Sequence, residues 1–253
     1  MSRGLGDVYK RQVHIVASGD AGFSLTNAFD CTAYLVDGGG ECALIDAGMG
    51  VEPEQILRGI RTAGFSPERV TRILLTHGHG DHAGGAAALS QACGAQVYAM
   101  EPAADFVSRG DIAALSLEKA IAAGVYEPGY TFRPCPVLPI ADGQRIPVGC
   151  LTLTAVSSPG HSAGHCCYCL EEDGRRILFA GDVIQCGGRI ALQAIWDCDL
   201  QQYMHTLYRL AELHPDALLP GHGCVALQRG WLHLDKARAV LDTLALPKNS
   251  IGE

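Results

Sequence analysis

No stretch of this 253-residue chain is both long and apolar enough to cross a bilayer, which takes roughly 20 residues. Basic residues are scarce: 19 Lys and Arg stand against 27 Asp and Glu, a formal net charge of -8. A nucleic-acid surface is normally basic, so that balance argues against one. Low-complexity tracts and short-period repeats are missing too, which excludes solenoid arrays and tail-like segments. With membrane and nucleic acid set aside, the expected partner is a small molecule.

What is present is apolar material and sulfur. Hydrophobic residues make up 48% of the chain, enough for a substantial core in one large domain. The eleven cysteines are an odd number without a framework spacing, which suits reduced thiols and a cytoplasmic setting. Cys166-Cys167-Tyr168-Cys169 contains a CxxC, but no second CxxC exists to complete a four-sulfur site. These cysteines read as small buried strand residues.

The first twelve residues look foreign. Asp7 to Gln12 resembles an in-frame translation of the transposon end used in preparing sequencing libraries. The expectation is a non-native tail over residues 1 to 12, with native sequence from near Val13. A signal peptide could have stood where that tail now stands.

From Val13 the pattern is short strands and turns, then helices. Ala33 to Val36 and Cys42 to Ile45 flank Asp37-Gly38-Gly39-Gly40, the signature of a hairpin. Pro53 to Ala63 places Ile56, Leu57 and Ile60 at helical spacing before Gly64. Val70 to Leu75 is an apolar strand, Ala83 to Cys93 a helix closed by Gly94, and Gln96 to Met100 a strand. Residues 102 to 130 read as mainly helical, and Thr131 to Pro139 as irregular. Strands follow at Leu151 to Val156, Cys166 to Leu170 and Arg176 to Ala180, with Asp173-Gly174 turning between the last two. Helices at Gln201 to Leu213 and Leu232 to Leu244 enclose a short strand at Ala217 to Leu219. The two halves share a strand-rich, then helical, order, so one domain over residues 13 to 253 is expected, with internal pseudo-symmetry.

The chemistry-bearing segment is His77-x-His79-x-Asp81-His82, directly after a strand. Two histidines two apart on a loop can face one metal while Asp81 and His82 face another. Gly78 and Gly80 keep side chains out of so tight a turn. Imidazole and carboxylate are suitable zinc ligands. Further ligand types follow three other apolar runs: His161 in Ser158-Pro159-Gly160-His161, Asp182 in Ala180-Gly181-Asp182, and His222 in Pro220-Gly221-His222-Gly223. Each alone suits a turn as well as a ligand; together they point to a site gathered at strand ends.

The order HxHxDH, GH, GD, GH closely resembles the metallo-β-lactamase superfamily, including its glyoxalase-II-like thioesterases and lactone hydrolases. Leu44-Ile45-Asp46-Ala47-Gly48 is similar to that family's early strand, and the resemblance runs from Ala33 to Gly223. It implies an α/β (α+β) fold, an αββα four-layer sandwich with the metals at one edge between the sheets. By analogy, His77, His79 and His161 would hold the first metal, Asp81, His82 and His222 the second, and Asp182 would bridge them. Two divalent ions are thus implied, zinc first, with manganese, iron or cobalt also suited to such ligands. The implied mechanism is hydrolysis by a hydroxide shared between the ions, with Asp81 and Asp182 as the catalytic carboxylates.

Among the family's activities, a bridging Asp182 is unlike the true β-lactamases, and His79 is unlike the flavodiiron reductases. The chain ends too soon after His222 for the helical substrate domain of glyoxalase II. Gln185 stands where the acyl-homoserine lactonases commonly place a tyrosine; Tyr126, Tyr130 or Trp196 would supply an aromatic wall, or would simply pack. The expected reaction is cleavage of an ester, lactone or thioester of a small molecule. The alternatives are a mononuclear iron oxidoreductase similar to the persulfide dioxygenases, and a phosphodiesterase. Residues 102 to 130 suit a cap that shapes an apolar acyl pocket, and suit a homodimer contact equally. His165 is expected to support a ligand or fill core, and His14, His205, His214 and His233 to be ordinary. Asp46 either accepts a hydrogen bond from a ligand histidine or forms the turn before Gly48.

Overall fold

The computed structural model describes residues 13–251; the expected foreign segment, residues 1 to 12, lies outside the described residues. Strands form where short apolar runs are bounded by turn residues. In the first half these are β1 (Val13–Ala17), β2 (Ala33–Asp37), β3 (Cys42–Ile45), β4 (Val70–Leu74), β5 (Gln96–Met100) and β6 (Val137–Ile140). They make one sheet in that order, antiparallel from β1 to β3 and parallel from β3 to β6. In the second half β7 (Arg145–Val148), β8 (Leu151–Ser157), β9 (Cys166–Glu172), β10 (Arg175–Gly181) and β11 (Ala217–Pro220) make a second sheet, ordered β11-β10-β9-β8-β7. Asp173 and Gly174 both take positive φ, 49° and 74°, as the tight β9–β10 hairpin requires.

Alternation along the strands decides the layers. Tyr34, Val36, Ala43, Ile45 and Leu74 point inward and pack on Leu153, Tyr168, Leu170, Ile177 and Phe179 of the other sheet. Their neighbours Leu35, Leu44 and Ile73 point outward, onto Ile56, Leu57 and Ile60 of α1 (Pro53–Thr62). That face also buries Leu89 and Cys93 of α3 (Ala86–Cys93), which follows the single turn α2 (Gly80–Ala83). The outer face of the second sheet packs Cys167, Cys169 and Leu178 on Tyr203, Leu207 and Leu210 of α6 (Leu200–Ala211) and on Leu234 and Leu241 of α7 (Trp231–Leu241). The result is helix, sheet, sheet, helix. The CxxC residues follow the same rule, with Cys166 between the sheets and Cys167 and Cys169 under the helices, all as free thiols.

Two strands are not evident from sequence pattern. β6 lies in the stretch that reads as irregular, and β7 in one with no strand signal. Both carry a proline, Pro139 and Pro147, and both lie at a sheet edge, where a missing N–H costs no ladder bond. Residues 102 to 130 hold two short helices, α4 (Ala103–Arg109) and α5 (Leu117–Ala122), with turns after each. No helix of the described residues is long and apolar enough to cross a membrane.

One polar contact ties the sheets together just behind the His77 loop. The buried Tyr168 hydroxyl on β9 donates to the Leu75 carbonyl at 2.8 Å. Tyr168→Phe should lower stability by about 1 kcal/mol, the net worth of such a bond. Urea unfolding measures it, and an unchanged midpoint would remove this link from the account.

Candidate metal centre

Four strand ends converge on one edge of the sandwich. His77, His79, Asp81 and His82 follow β4, His161 follows β8, Asp182 follows β10 and His222 follows β11. His77, His79 and His161 form one group, and Asp81, His82, Asp182 and His222 another, each with ligand-type atoms within 4.8 Å of one another.

In the first group His79 Nδ1 lies 3.0 Å from His77 Nε2 and 3.1 Å from His161 Nε2. The outer hydrogen bonds fix which ring nitrogens carry protons. His161 Nδ1 is 2.7 Å from the Ala191 carbonyl, an acceptor only, so Nδ1 holds the hydrogen and Nε2 a lone pair. Thr76 Oγ1 gives its one hydrogen to Asp46 at 2.9 to 3.0 Å and so accepts from His77 Nδ1 at 3.0 Å. His77 Nε2 is left with a lone pair. Two lone pairs therefore face His79 Nδ1, which has at most one hydrogen to offer.

The second group gathers two imidazoles and two carboxylates. His82 Nδ1 donates to Asp46 Oδ2 at 2.9 Å, which turns Nε2 toward the carboxylates. His82 Nε2 lies 3.5 Å from Asp81 Oδ2, 3.3 Å from Asp182 Oδ1 and 3.3 Å from His222 Nε2. His222 Nε2 in turn lies 3.0 Å from Asp81 Oδ2 and 3.4 Å from Asp182 Oδ2. Asp182 also reaches the first group, its Oδ2 being 3.7 Å from His161 Nε2. Buried acceptors aimed at one another repel unless positive charge lies between them. Asp182 Oδ1 and His79 Nε2 are buried without a hydrogen-bond partner. This donor set fits divalent cations of the zinc type.

The protonation pattern of the protein alone follows the same geometry. Burial pushes His79 down to about 4, and His161 to about 4 with help from His79. Burial works against charge on His222 as well, but Asp182 and Asp81 outweigh it and hold that imidazole up at about 10. Burial would raise Asp81 too, yet His82 and His222 keep it below the usual carboxylate range. The three-histidine group is thus neutral and the other is charged.

Supporting residues account for the rigidity. Asp46, with φ of 62° at the end of β3, accepts from the Thr76 amide at 2.7 Å as well as from Thr76 Oγ1 and His82. Of the two readings of Asp46, the structure contains the bond with His82, while residues 46 to 49 form no turn. His165 stands outside both groups: its Nδ1 donates to Ser158 Oγ at 2.7 Å and its Nε2 accepts the Asp182 amide at 3.2 Å. Cys31, Asp46 and His82 are also close, but Asp46 and His82 are bonded to each other and burial pushes the Cys31 thiol up to about 12. Glycine is required where backbone runs against the centre: a Cβ on Gly221 would lie 2.5 Å from Asp182 Oδ1 and 2.6 Å from the His82 ring.

Sequence reasoning missed three positions. Thr76 precedes the motif and carries no ligand signal. Tyr203 on α6 places its hydroxyl 3.0 Å from the Asp182 carbonyl and 2.8 Å from that of Val183, and accepts the Ala191 amide at 3.1 Å. Tyr126, expected as a wall or as packing, donates its hydroxyl to Asp81 Oδ1 at 2.6 Å. Were both groups to hold metal, Tyr126→Phe would be expected to weaken binding at the Asp81 group about 10-fold or more and spare the first group, since loss of such supporting bonds costs 10- to 100-fold. Competition with a chromogenic chelator reads this directly; two unchanged dissociation constants would refute it.

A cavity of about 510 Å3 opens over His79, Asp81, Asp182 and His222. A sequence profile of the metallo-beta-lactamase superfamily matches residues 26–222. An atrochrysone carboxyl ACP thioesterase of Aspergillus fumigatus is 31% identical over 193 residues, 76% of this chain and 50% of that protein. Lactamase-like protein vrtG of Penicillium aethiopicum is 30% identical over 235 residues, 87% of this chain and 63% of that one. This chain therefore spans about half to under two thirds of the length of these relatives. Among solved structures, a metallo-beta-lactamase of Cronobacter sakazakii with a HARLDQ motif is similar at a TM-score of 0.67 and 23% identity, covering 86% of this chain and 89% of that one. BJP-1, a subclass B3 metallo-beta-lactamase of Bradyrhizobium japonicum, is similar at 0.66 and 23%, covering 85% and 86%. Likeness at that identity speaks to the fold.

Proposed function

Because this chain belongs to the metallo-beta-lactamase superfamily, we propose that it is a two-metal hydrolase acting on a thioester, lactone or other ester. His77, His79 and His161 would hold one divalent ion, Asp81, His82 and His222 the other, and Asp182 both. The observation that carries this reading is the place of Asp182, whose carboxylate reaches His161 on one side and His82 and His222 on the other. Bound there, the ions would bring the pKa of a water molecule toward neutrality and polarise the scissile carbonyl.

The chain's own residues do the rest. Tyr126 pins Asp81 Oδ1, so that Oδ2 is the oxygen turned to His82 and His222. Asp46 and Ala191 hold the proton-bearing nitrogens of His82 and His161, which keeps the opposite nitrogens available to metal. Asp81 and Asp182, both ionised, line the cavity where a proton leaving water would be accepted. Thioesters stand first among the substrates because a relative at 31% identity is named as a thioesterase.

The test is thiol release from acyl thioesters by protein loaded with zinc, manganese or iron, followed with a thiol reagent beside lactone and ester panels. Release in step with two bound ions per chain supports the reading. Oxygen consumption with a single iron per chain would replace it with an oxidoreductase, and phosphodiester cleavage alone with a phosphodiesterase.

A further inference from the structure

The cavity over the metal centre continues into a second one. His79, Val125, Tyr126, Gln193 and Ile251 line both. The first carries Asp81, Asp182, Gln185 and Arg189. The second, about 410 Å3, is walled by Leu115, Ala120, Ala123, Leu192 and Ile195. Its polar residues Gln193 and His79 stand at the junction with the first cavity; farther in, Lys119 Nζ donates to the Ala194 carbonyl at 2.6 Å, and Ser116 Oγ donates to Asp197 at 3.3 Å. Asn249 donates to the Leu192 carbonyl at 3.0 Å and accepts its amide at 2.9 Å. The Lys119 and Asn249 bonds fasten the walls to one another, so the space is preformed and offers a ligand little but hydrocarbon. Its volume lies in the range of small-molecule sites, roughly 300 to 1,000 Å3.

We infer that this second cavity receives the apolar acyl portion of the substrate, with the carbonyl at the His79 junction and the leaving group in the polar cavity. The assignment rests on the hydrolase reading, which puts the scissile carbonyl beside His79. The direction follows from the linings. The Gln185 amide and the charged surroundings of the metal centre suit a polar thiol or alcohol carrier, whereas alanine, leucine and isoleucine walls stabilise only buried hydrocarbon. Val125, 54% exposed, and Ile251, 41% exposed, are apolar residues at the junction that an acyl chain would cover.

Binding of straight-chain carboxylates tests this apart from turnover. With zinc-loaded full-length protein, calorimetry from acetate to octanoate should show affinity rising about fourfold per methylene until the cavity is full. Octanoate should then bind at least about 100-fold more tightly than acetate. Ala123 is exposed at the rim, so Ala123→Trp can fill the space without disturbing the core, and should collapse the octanoate-to-acetate ratio to near unity. Affinities independent of chain length, or a ratio that survives Ala123→Trp, would overturn the inference. Chain-length-dependent binding in protein that hydrolyses no thioester, lactone or ester would uphold the pocket and sink the hydrolase reading instead.

Discussion

On the proposed two-metal reading, Asp182→Asn is expected to reduce bound metal from two ions per chain to one at most, and to lower turnover by at least about 1,000-fold, since the activation of water by the metals would be lost. Asparagine matches aspartate in volume, so the packing around Tyr203 and Gly221 should tolerate it. What goes is the charge. Asp182 lies 3.3 Å from His82, 3.4 Å from His222 and 3.7 Å from His161, and no other carboxylate among the described residues touches both histidine groups. His79→Ala should act similarly from the other side, because His79 Nδ1 is the nitrogen that approaches both His77 and His161. Elemental analysis beside a rate measurement decides the matter. Two ions per chain with undiminished turnover in either variant would end the bridging account.

The second large effect belongs to a residue that would touch no metal. Asp46→Ala should destabilise the fold by about 3 to 5 kcal/mol, the range for breaking a buried charged network by removing one partner. The buried carboxylate accepts the Thr76 amide, the Thr76 hydroxyl and His82 Nδ1. Alanine would leave the Thr76 amide inside the protein without this acceptor and free the His82 ring to turn. The backbone adds strain, since φ of 62° suits aspartate or asparagine better than alanine. Asp46→Asn separates the two contributions. It should keep most of the stability but weaken metal binding 10- to 100-fold, because an amide can turn an N–H toward His82. Chemical denaturation and chelator competition on both variants would show this, and an Asp46→Ala protein of normal stability would contradict it.

Legibility from sequence followed the range of the interactions. The His77 to His82 segment carries four ligand-type residues in six positions, so local spacing alone marks it. His161, Asp182 and His222 each sit beside a glycine after an apolar run, and only their joint order distinguishes them from turns. Tyr126 and Tyr203 could not be found that way. Each lies on or beside a helix distant in sequence from the group it bonds, and a tyrosine amid apolar residues reads as packing. β6 and β7 escaped for another reason: proline suppresses the strand signal in sequence yet is harmless at a sheet edge.

The sequence by itself determined the alternation that sorts inward from outward side chains, the strand-then-turn placement of the donors, and their chemical types. These depend on neighbours within a few positions, where steric and hydrophobic rules act directly. Only the tertiary structure decided which nitrogen of each imidazole keeps its lone pair, that His165 serves the Asp182 backbone from outside the donor groups, and that an apolar cavity opens beside His79. Those outcomes depend on acceptors such as the Ala191 carbonyl and Asp46, brought within hydrogen-bonding distance only when the two sheets close on one another.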